Sequence, residues 1–175
     1  KELLPNIEEI DAQNFDLAIE GMKKCGELGL LMIDTPEEYG GLELDKATSM
    51  LVGEKIAPSG SFAVVYACHT GIATLPLVYY GTPEQKEKYL EKLITGEWCG
   101  AYCLTEPGSG SDALGAQATA TLSEDGKHYV LNGTKQYITN GGFAQLFTIF
   151  AKIDKEHFTA FLVEKDFEGL LVGNE

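Results

Sequence analysis

"YCLTEPGSGSDALG", residues 102–115, is the stretch on which the fold turns. Gly108, Gly110 and Ala113 satisfy the dinucleotide spacing G-x-G-x-x-G/A, which would make this a parallel α/β protein. That fold needs a strand, a glycine turn, a helix and a second strand, with an acid about 20 positions on for a ribose. Pro107 interrupts the entry, and the exit "ALGAQATATL" has poor helical amphipathicity. Residues 128–131 are His, Tyr, Val and Leu, so the acid is missing and the dinucleotide reading is rejected. Neither Ser109 nor Ser111 lies in a G-x-S-x-G elbow, which removes a nucleophilic serine. What remains is a donor-rich loop after a strand. Thr105, Ser109 and Ser111 offer hydroxyls, and Gly108 and Gly110 let backbone N–H groups approach a ligand closely. An ordinary polar turn capped by Asp112 is the alternative reading of the same residues.

The chain changes character on either side of residue 96. Before it, apolar residues recur at helical spacing. Phe15, Ala18, Ile19, Met22 and Cys25 form one stripe, closed by Gly26 and Gly29. Asp45 is placed to cap a second helix, and Ser59 or Ser61 opens an apolar third, "FAVVYACHTGIATLPLVYYG", in which Gly71 and Pro76 predict a bend or a split. "TPEQKEKYLEKLITG" carries a cap at Thr82, Pro83 in the first helical position, a capping box through Gln85, and a stop at Gly96. After residue 96 the period becomes two. "WCGAYCL", "AQATATL", "KHYVLNG", "QLFTIFAKI" and "HFTAFLVEK" read as strands, with Asp125-Gly126 and Asn132-Gly133 as hairpin turns between them. The expected fold is α+β: an all-helical domain over residues 1–96, then an antiparallel, barrel-like and incomplete β domain over residues 97–175.

A second cluster, "NGTKQYITNGG", spans residues 132–142. Strand alternation would send Tyr137 and Thr139 to one face, where an aromatic plane beside a hydroxyl suits a flat ring. A cross-strand Tyr–Thr pair is the plainer alternative.

Composition bounds the rest. Net charge is −14, and all 13 basic residues are lysines, scattered or interleaved with glutamates, which favours a solvated helix face over a nucleic-acid groove, so no nucleic-acid partner is expected. No apolar run of about 18 residues is present, so no transmembrane segment is expected. Cys25, Cys68, Cys99 and Cys103 form no C-x-x-C pair, and no metal site is expected. Free thiols and a start without a signal-peptide core predict a reducing compartment, the bacterial cytoplasm first and the mitochondrial matrix as alternative.

The segments "PEEYGG", "YGTPEQKEKYLEKLITGEW", "YCLTEPGSGSDA", "YVLNGTKQYITNGG" and "TAFLVEKD", in this order, resemble the acyl-CoA dehydrogenase family. The resemblance implies an N-terminal helical domain and most of a middle β-barrel, with a C-terminal four-helix domain unmatched. It implies FAD as cofactor and α,β-dehydrogenation of a fatty acyl-CoA thioester to the trans-2-enoyl-CoA. Tyr102, Leu104 and Thr105 would line the flavin, Thr105 at the pyrimidine edge. Gly110 and Ser111 would adjoin flavin and substrate, with Ser111 the substrate contact. Tyr137 would pack on the ring where the family often has Trp, Ile138 would supply backbone contacts, and Thr139 would bond near N5. No residue matches the family's catalytic glutamate, which would lie outside this chain, so these 175 residues alone are expected to bind FAD weakly and not to turn over. Glu106 reads as structural. Electron-transferring flavoprotein is the implied acceptor and a homotetramer the implied full-length assembly. An acyl-CoA oxidase, a nitroalkane oxidase or a non-catalytic module on the same fold are the competing readings. Val64, Val65, Cys68 and Ile72 are candidates for one wall of an acyl pocket, or for simple core packing.

Overall fold

The computed structural model describes residues 3–173. Short helices come first: α1 (Ile7–Asp11), α2 (Phe15–Glu27), α3 (Lys46–Ile56), α4 (Ser61–Ala67), α5 (Leu75–Tyr80) and α6 (Pro83–Ile94). Their ends follow local chemistry. Asn14 Oδ1 accepts from Leu17 N–H at 3.4 Å, and Asp45 Oδ1 accepts from Thr48 N–H at 2.8 Å. Thr82 and Gln85 cap each other's backbone reciprocally, as the capping box predicts. Gly96, at φ +72, ends α6 in the left-handed conformation. A Cβ there would sit 2.6 Å from the Met22 carbonyl, so the same glycine lets α2 lie against the end of α6. The α2 stripe is buried as read: Ala18, Met22 and Cys25 join Ile10, Phe62 and Tyr66 in the first core.

α4 and α5 are not split at Gly71. A π-helical turn, Cys68–Thr74, joins them, and Pro76 follows directly on that turn, at the start of α5. The result is one helix, Ser61–Tyr80, with mean hydropathy 1.5, long and apolar enough by length and composition to cross a membrane. The sequence reading had found no such run. Phe62, Tyr66, His69, Ala73 and Leu77 bury one face of it, which is how the core helix of a folded domain packs.

The five expected strands all form: β1 (Gly100–Cys103), β2 (Thr119–Leu122), β3 (Tyr129–Asn132), β4 (Leu146–Ile153) and β5 (His157–Glu164). The sheet is open and mixed rather than wholly antiparallel. β2–β3 and β4–β5 are antiparallel hairpins, whereas β4 runs parallel to β1 (Gly100↔Leu146 to Cys103↔Ile149) and to β2 (Thr119↔Lys152, Ala120↔Ile153). β1 and β2 therefore share one edge of β4, end to end, with residues 104–118 looping out between them. Asp125-Gly126 closes β2–β3 as predicted. Asn132-Gly133 does not make a hairpin. It releases the chain into the long return to β4, and a Cβ on Gly133 would fall 2.7 Å from that of Ala118.

One sheet face packs on the helices: Leu146 and Leu162 meet Leu77, Val78, Tyr89, Leu90 and Leu93. Glu164 locks the layers by accepting from Lys88 Nζ at 2.7 Å and Tyr89 Oη at 2.8 Å. The other face carries Ala101, Cys103, Phe147 and Val163, flanked by Ile149 and Phe161.

Candidate functional site

The two glycine-flanked clusters are brought together at the C-terminal end of β1. Gln136 N–H donates to the Thr105 carbonyl at 2.9 Å. Lys135 Nζ reaches the Leu104 carbonyl at 3.1 Å and Glu106 Oε1 at 2.7 Å. Glu106 is buried and Lys135 mostly so, and the Glu106 carboxylate also accepts from Gln117 N–H at 2.6 Å and Ala118 N–H at 3.0 Å. Burial works to raise the Glu106 carboxyl, but Lys135 and the two backbone N–H groups outweigh it and hold the pKa below the usual carboxylate range. Glu106 is thus a pin between the loops, as expected, with three donors on its carboxylate and a depressed pKa that makes it a weak base. Lys135 escaped the sequence reading. Its one signal is that it is the only charge between Tyr129 and Gln145.

The loop 104–118 opens with a tight turn: Glu106 and Ser109 exchange two backbone bonds around Pro107-Gly108. Ser109 is not an available donor. It is buried, and its hydroxyl donates to the Asp112 carbonyl at 2.6 Å. Asp112 caps the turn Ala113–Gly115, so the capped-turn reading holds for that half of the loop. Gly110 and Ser111 remain exposed, and a Cβ on Gly108 or Gly110 would meet nothing within 4 Å. The hydroxyls of Thr105, Ser111 and Thr139 have no hydrogen-bond partner among the described residues.

Residues 133–145 are not a strand, so alternation does not place Tyr137 beside Thr139. Tyr137 instead has φ +57 and is 84% exposed. A non-glycine residue in that region is strained, and here the strain turns an aromatic ring outward. Ile138 packs on the Phe147 cluster, and Gly141 N–H bonds the Ile138 carbonyl at 2.9 Å across a turn containing Thr139 and Asn140. Asn140 has φ +68 and is buried, and its Oδ1 is a buried acceptor with no partner among the described residues.

Tyr102 and Leu104 alternate with Cys103, so they lie on the face opposite it. The Tyr102 ring meets Phe150 edge-on at 5.0 Å, and burial raises its phenol. Cys103 lines an open trough of about 1790 Å³ on the far face, with Phe147, Ile149, Phe161 and the residues of the 133–143 loop. That volume exceeds the roughly 300–1,000 Å³ of small-molecule pockets, and its floor is apolar. The trough is the bare face of the sheet; the candidate site is the edge where residues 102–105 and 137–139 meet. The three buried thiols are poor nucleophiles: burial pushes Cys25 and Cys99 up to about 11, and Cys103 up to about 12 against the pull of Lys135.

Two family descriptions match in tandem: "Acyl-CoA dehydrogenase, N-terminal domain" over residues 1–97, and "Acyl-CoA dehydrogenase, middle domain" over residues 101–175. The chain belongs to the acyl-CoA dehydrogenase family. It is 54% identical over 175 residues to a probable acyl-CoA dehydrogenase of Bacillus subtilis, covering all of this chain and 30% of that protein. It is 41% identical over 177 residues to a short-chain-specific acyl-CoA dehydrogenase of Clostridium acetobutylicum, covering 98% of this chain and 46% of that one. Among solved structures, an acyl-CoA dehydrogenase from Bacillus anthracis complexed with FAD superposes with TM-score 0.97 at 55% identity, over 99% of this chain and 30% of that chain. The chain therefore spans between about a quarter and a half of the length of the relatives it matches. In this acyl-CoA dehydrogenase chain the helical stripe Val64, Val65, Cys68 and Ile72 is only partly core, since Val65 alone of the four packs against the first core. Val64 and Ile72 are exposed and Val65 and Cys68 half-buried, while the opposite side of the helix is packed.

Proposed function

We propose that this chain is the flavin-cradling front portion of an FAD-dependent acyl-CoA dehydrogenase acting on a fatty acyl-CoA thioester. The carrying observation is the convergence of the two clusters, fastened by the Gln136–Thr105 backbone bond and the Lys135–Glu106 pair. The residues present fit a flat, polar-edged ring. Thr105, Ser111 and Thr139 hold free hydroxyls, Gly110 has open space, Tyr137 presents an exposed plane, and Asn140 keeps an orphaned acceptor nearby. In this reading Tyr102, Leu104 and Thr105 line one edge of the isoalloxazine. Tyr137, Ile138 and Thr139 line the other, and Gly110 and Ser111 adjoin the thioester arm, with Ser111 touching substrate. FAD, when bound, supplies the two-electron acceptor for dehydrogenation to the trans-2-enoyl-CoA. The chain's own residues hold and orient; the base lies outside these 175 residues, since Glu106 is committed elsewhere.

Residues 1–96 act as a helical unit and 97–175 as the start of the β unit. Full-length protein would be a cytoplasmic homotetramer passing electrons to an electron-transferring flavoprotein. Tyr137 offers less stacking area than Trp, so Tyr137→Trp should tighten FAD binding and Tyr137→Ala should weaken it. The deciding experiment is a flavin absorbance spectrum of the full-length protein with acyl-CoA titration. Bleaching of bound flavin by acyl-CoA, with reoxidation by a flavoprotein acceptor and little oxygen uptake, is the expected result. Rapid oxygen consumption would mean an oxidase, and a colourless protein that stays apo with added FAD would sink the assignment.

A further inference from the structure

Asn140 is the point at which three separate segments are tied together. Its Nδ2 group donates both hydrogens, to the Val65 carbonyl of α4 at 3.2 Å and to the Gly100 carbonyl of β1 at 3.1 Å. Its backbone carbonyl accepts from Phe143 N–H at 3.1 Å and Ala144 N–H at 2.8 Å. Gly100 turns its polar groups away from β4, and no strand among the described residues covers that edge. Its N–H donates to His69 Nδ1 at 3.0 Å, and its carbonyl takes the Asn140 amide. His69 Nε2 lies 3.0 Å from the Leu93 carbonyl, so the ring is the Nε2–H tautomer, donating to α6 and accepting from β1. His69 and Val65 sit one turn apart on the same helix. Val65, Asn140, Gly100 and His69 thus close a ring linking the helix that carries the half-exposed Val65–Cys68 stripe to the loop that carries Tyr137 and Thr139. The helix comes close because Gly100 has no side chain: a Cβ there would lie 2.9 Å from that of Ala73.

We propose that Asn140 is a positioning residue. Its amide clamps the Tyr137–Thr139 loop to β1 and α4 and thereby sets where the Thr139 hydroxyl and the Tyr137 plane meet the flavin. This rests on the flavin reading above. The backbone supports it independently: in the turn Ile138–Gly141 the third position has φ +68, which a type II turn reserves for glycine or asparagine. Asparagine alone meets that demand and also supplies a two-hydrogen donor. Thr139 is its immediate neighbour, so any drift of the amide is transmitted directly.

The test uses the full-length protein loaded with FAD. Asn140→Gly keeps the left-handed backbone and deletes the amide; Asn140→Asp keeps the shape and removes both donors. Asp45→Ala, which strips the cap of α3 far from the loop, serves as a purely structural comparison. The expected result is a tenfold or greater rise in the FAD dissociation constant for both Asn140 variants. Their flavin absorption band and fluorescence should also shift, whereas Asp45→Ala lowers only the melting temperature. If Asn140→Asp does not fold, Asn140→Gly carries the test alone. Folded Asn140 variants with wild-type flavin spectra and affinity would overturn the proposal and leave the flavin reading intact. A wild-type protein that takes up no FAD would overturn both.

Discussion

At the scale of single residues, the Glu106–Lys135 pair decides whether the two clusters meet. Removing one partner of a buried, hydrogen-bonded pair leaves an uncompensated polar group, which costs about 3–5 kcal/mol. Glu106→Gln should therefore lower unfolding free energy by roughly that amount, read from denaturant midpoints, because an amide cannot accept from Lys135, Gln117 and Ala118 together. The pH dependence has a definite sign. A carboxyl held below its usual range in the folded state binds its proton less readily there than in the unfolded chain. Its contribution is complete above the unfolded value and is lost as pH falls through the depressed folded one. Acid titration of wild type against Glu106→Gln should show the wild type losing more stability on descent. An equal loss in both would mean that the pair contributes nothing to the folded state.

At the scale of elements, His69 and the β4–β5 turn carry opposite lessons. His69 is fully buried between the π turn, α6 and β1, and burial lowers its pKa to about 4, although the bond to Leu93 works the other way. An unfolded histidine titrates near 6.5, so the unfolded chain binds the extra proton first as pH falls. Stability from this group is whole above about pH 6.5 and declines toward pH 4. The total is about 3 kcal/mol, from roughly 2.5 pK units at 1.36 kcal/mol each. His69→Gln should flatten melting temperature against pH between 5 and 6.5; an unchanged slope would refute the role. In the β4–β5 turn, Asp154 and Lys155 both take positive φ, +53 and +64, with Glu156 N–H bonded to the Ile153 carbonyl. Such a turn prefers Asn-Gly. Lys155→Gly should stabilise by about 0.5–1 kcal/mol, the relief of left-handed strain exceeding the added chain entropy. The short connection between the two strands was legible in the sequence but its left-handed turn was not, because Asp-Lys lacks the glycine such a turn favours, whereas Asp125-Gly126, Asp45 and the Thr82–Gln85 box were legible because their chemistry is local. The strands were legible for the same reason. Their parallel pairing was not, since which edge of β4 accepts β1 depends on the 133–145 return, whose course is set by the buried Lys135 and Asn140 rather than by any periodicity.

At the scale of the whole molecule, the candidate site was readable as two motifs, and their juxtaposition followed from the family resemblance rather than from the residues themselves. Lys135 and Asn140 join segments about 30 to 75 residues apart through buried polar bonds, and such bonds leave no pattern in a single sequence. The same layout makes the two sheet faces unequal. The face toward the helices is sealed by Leu146, Leu162 and the Glu164–Lys88–Tyr89 contact. The opposite face is a trough with Phe147, Ile149 and Phe161 on its floor and exposed Tyr137, Phe167, Leu171 and Val172 around it. Apolar surface on that scale, rimmed by polar residues, drives association. A polypeptide of just these 175 residues should therefore bind a hydrophobic dye strongly and self-associate on size-exclusion at micromolar concentration, although its net charge of −14 opposes aggregation. It should also release flavin on the column, because one side of the cradle rests on this uncovered face. A full-length relative of the family should stay dye-silent and keep its flavin on the same column. A monodisperse, dye-silent monomer of the 175 residues would show that the trough closes on itself, and the open-faced sheet would then be the wrong description of how this chain holds its two clusters in place.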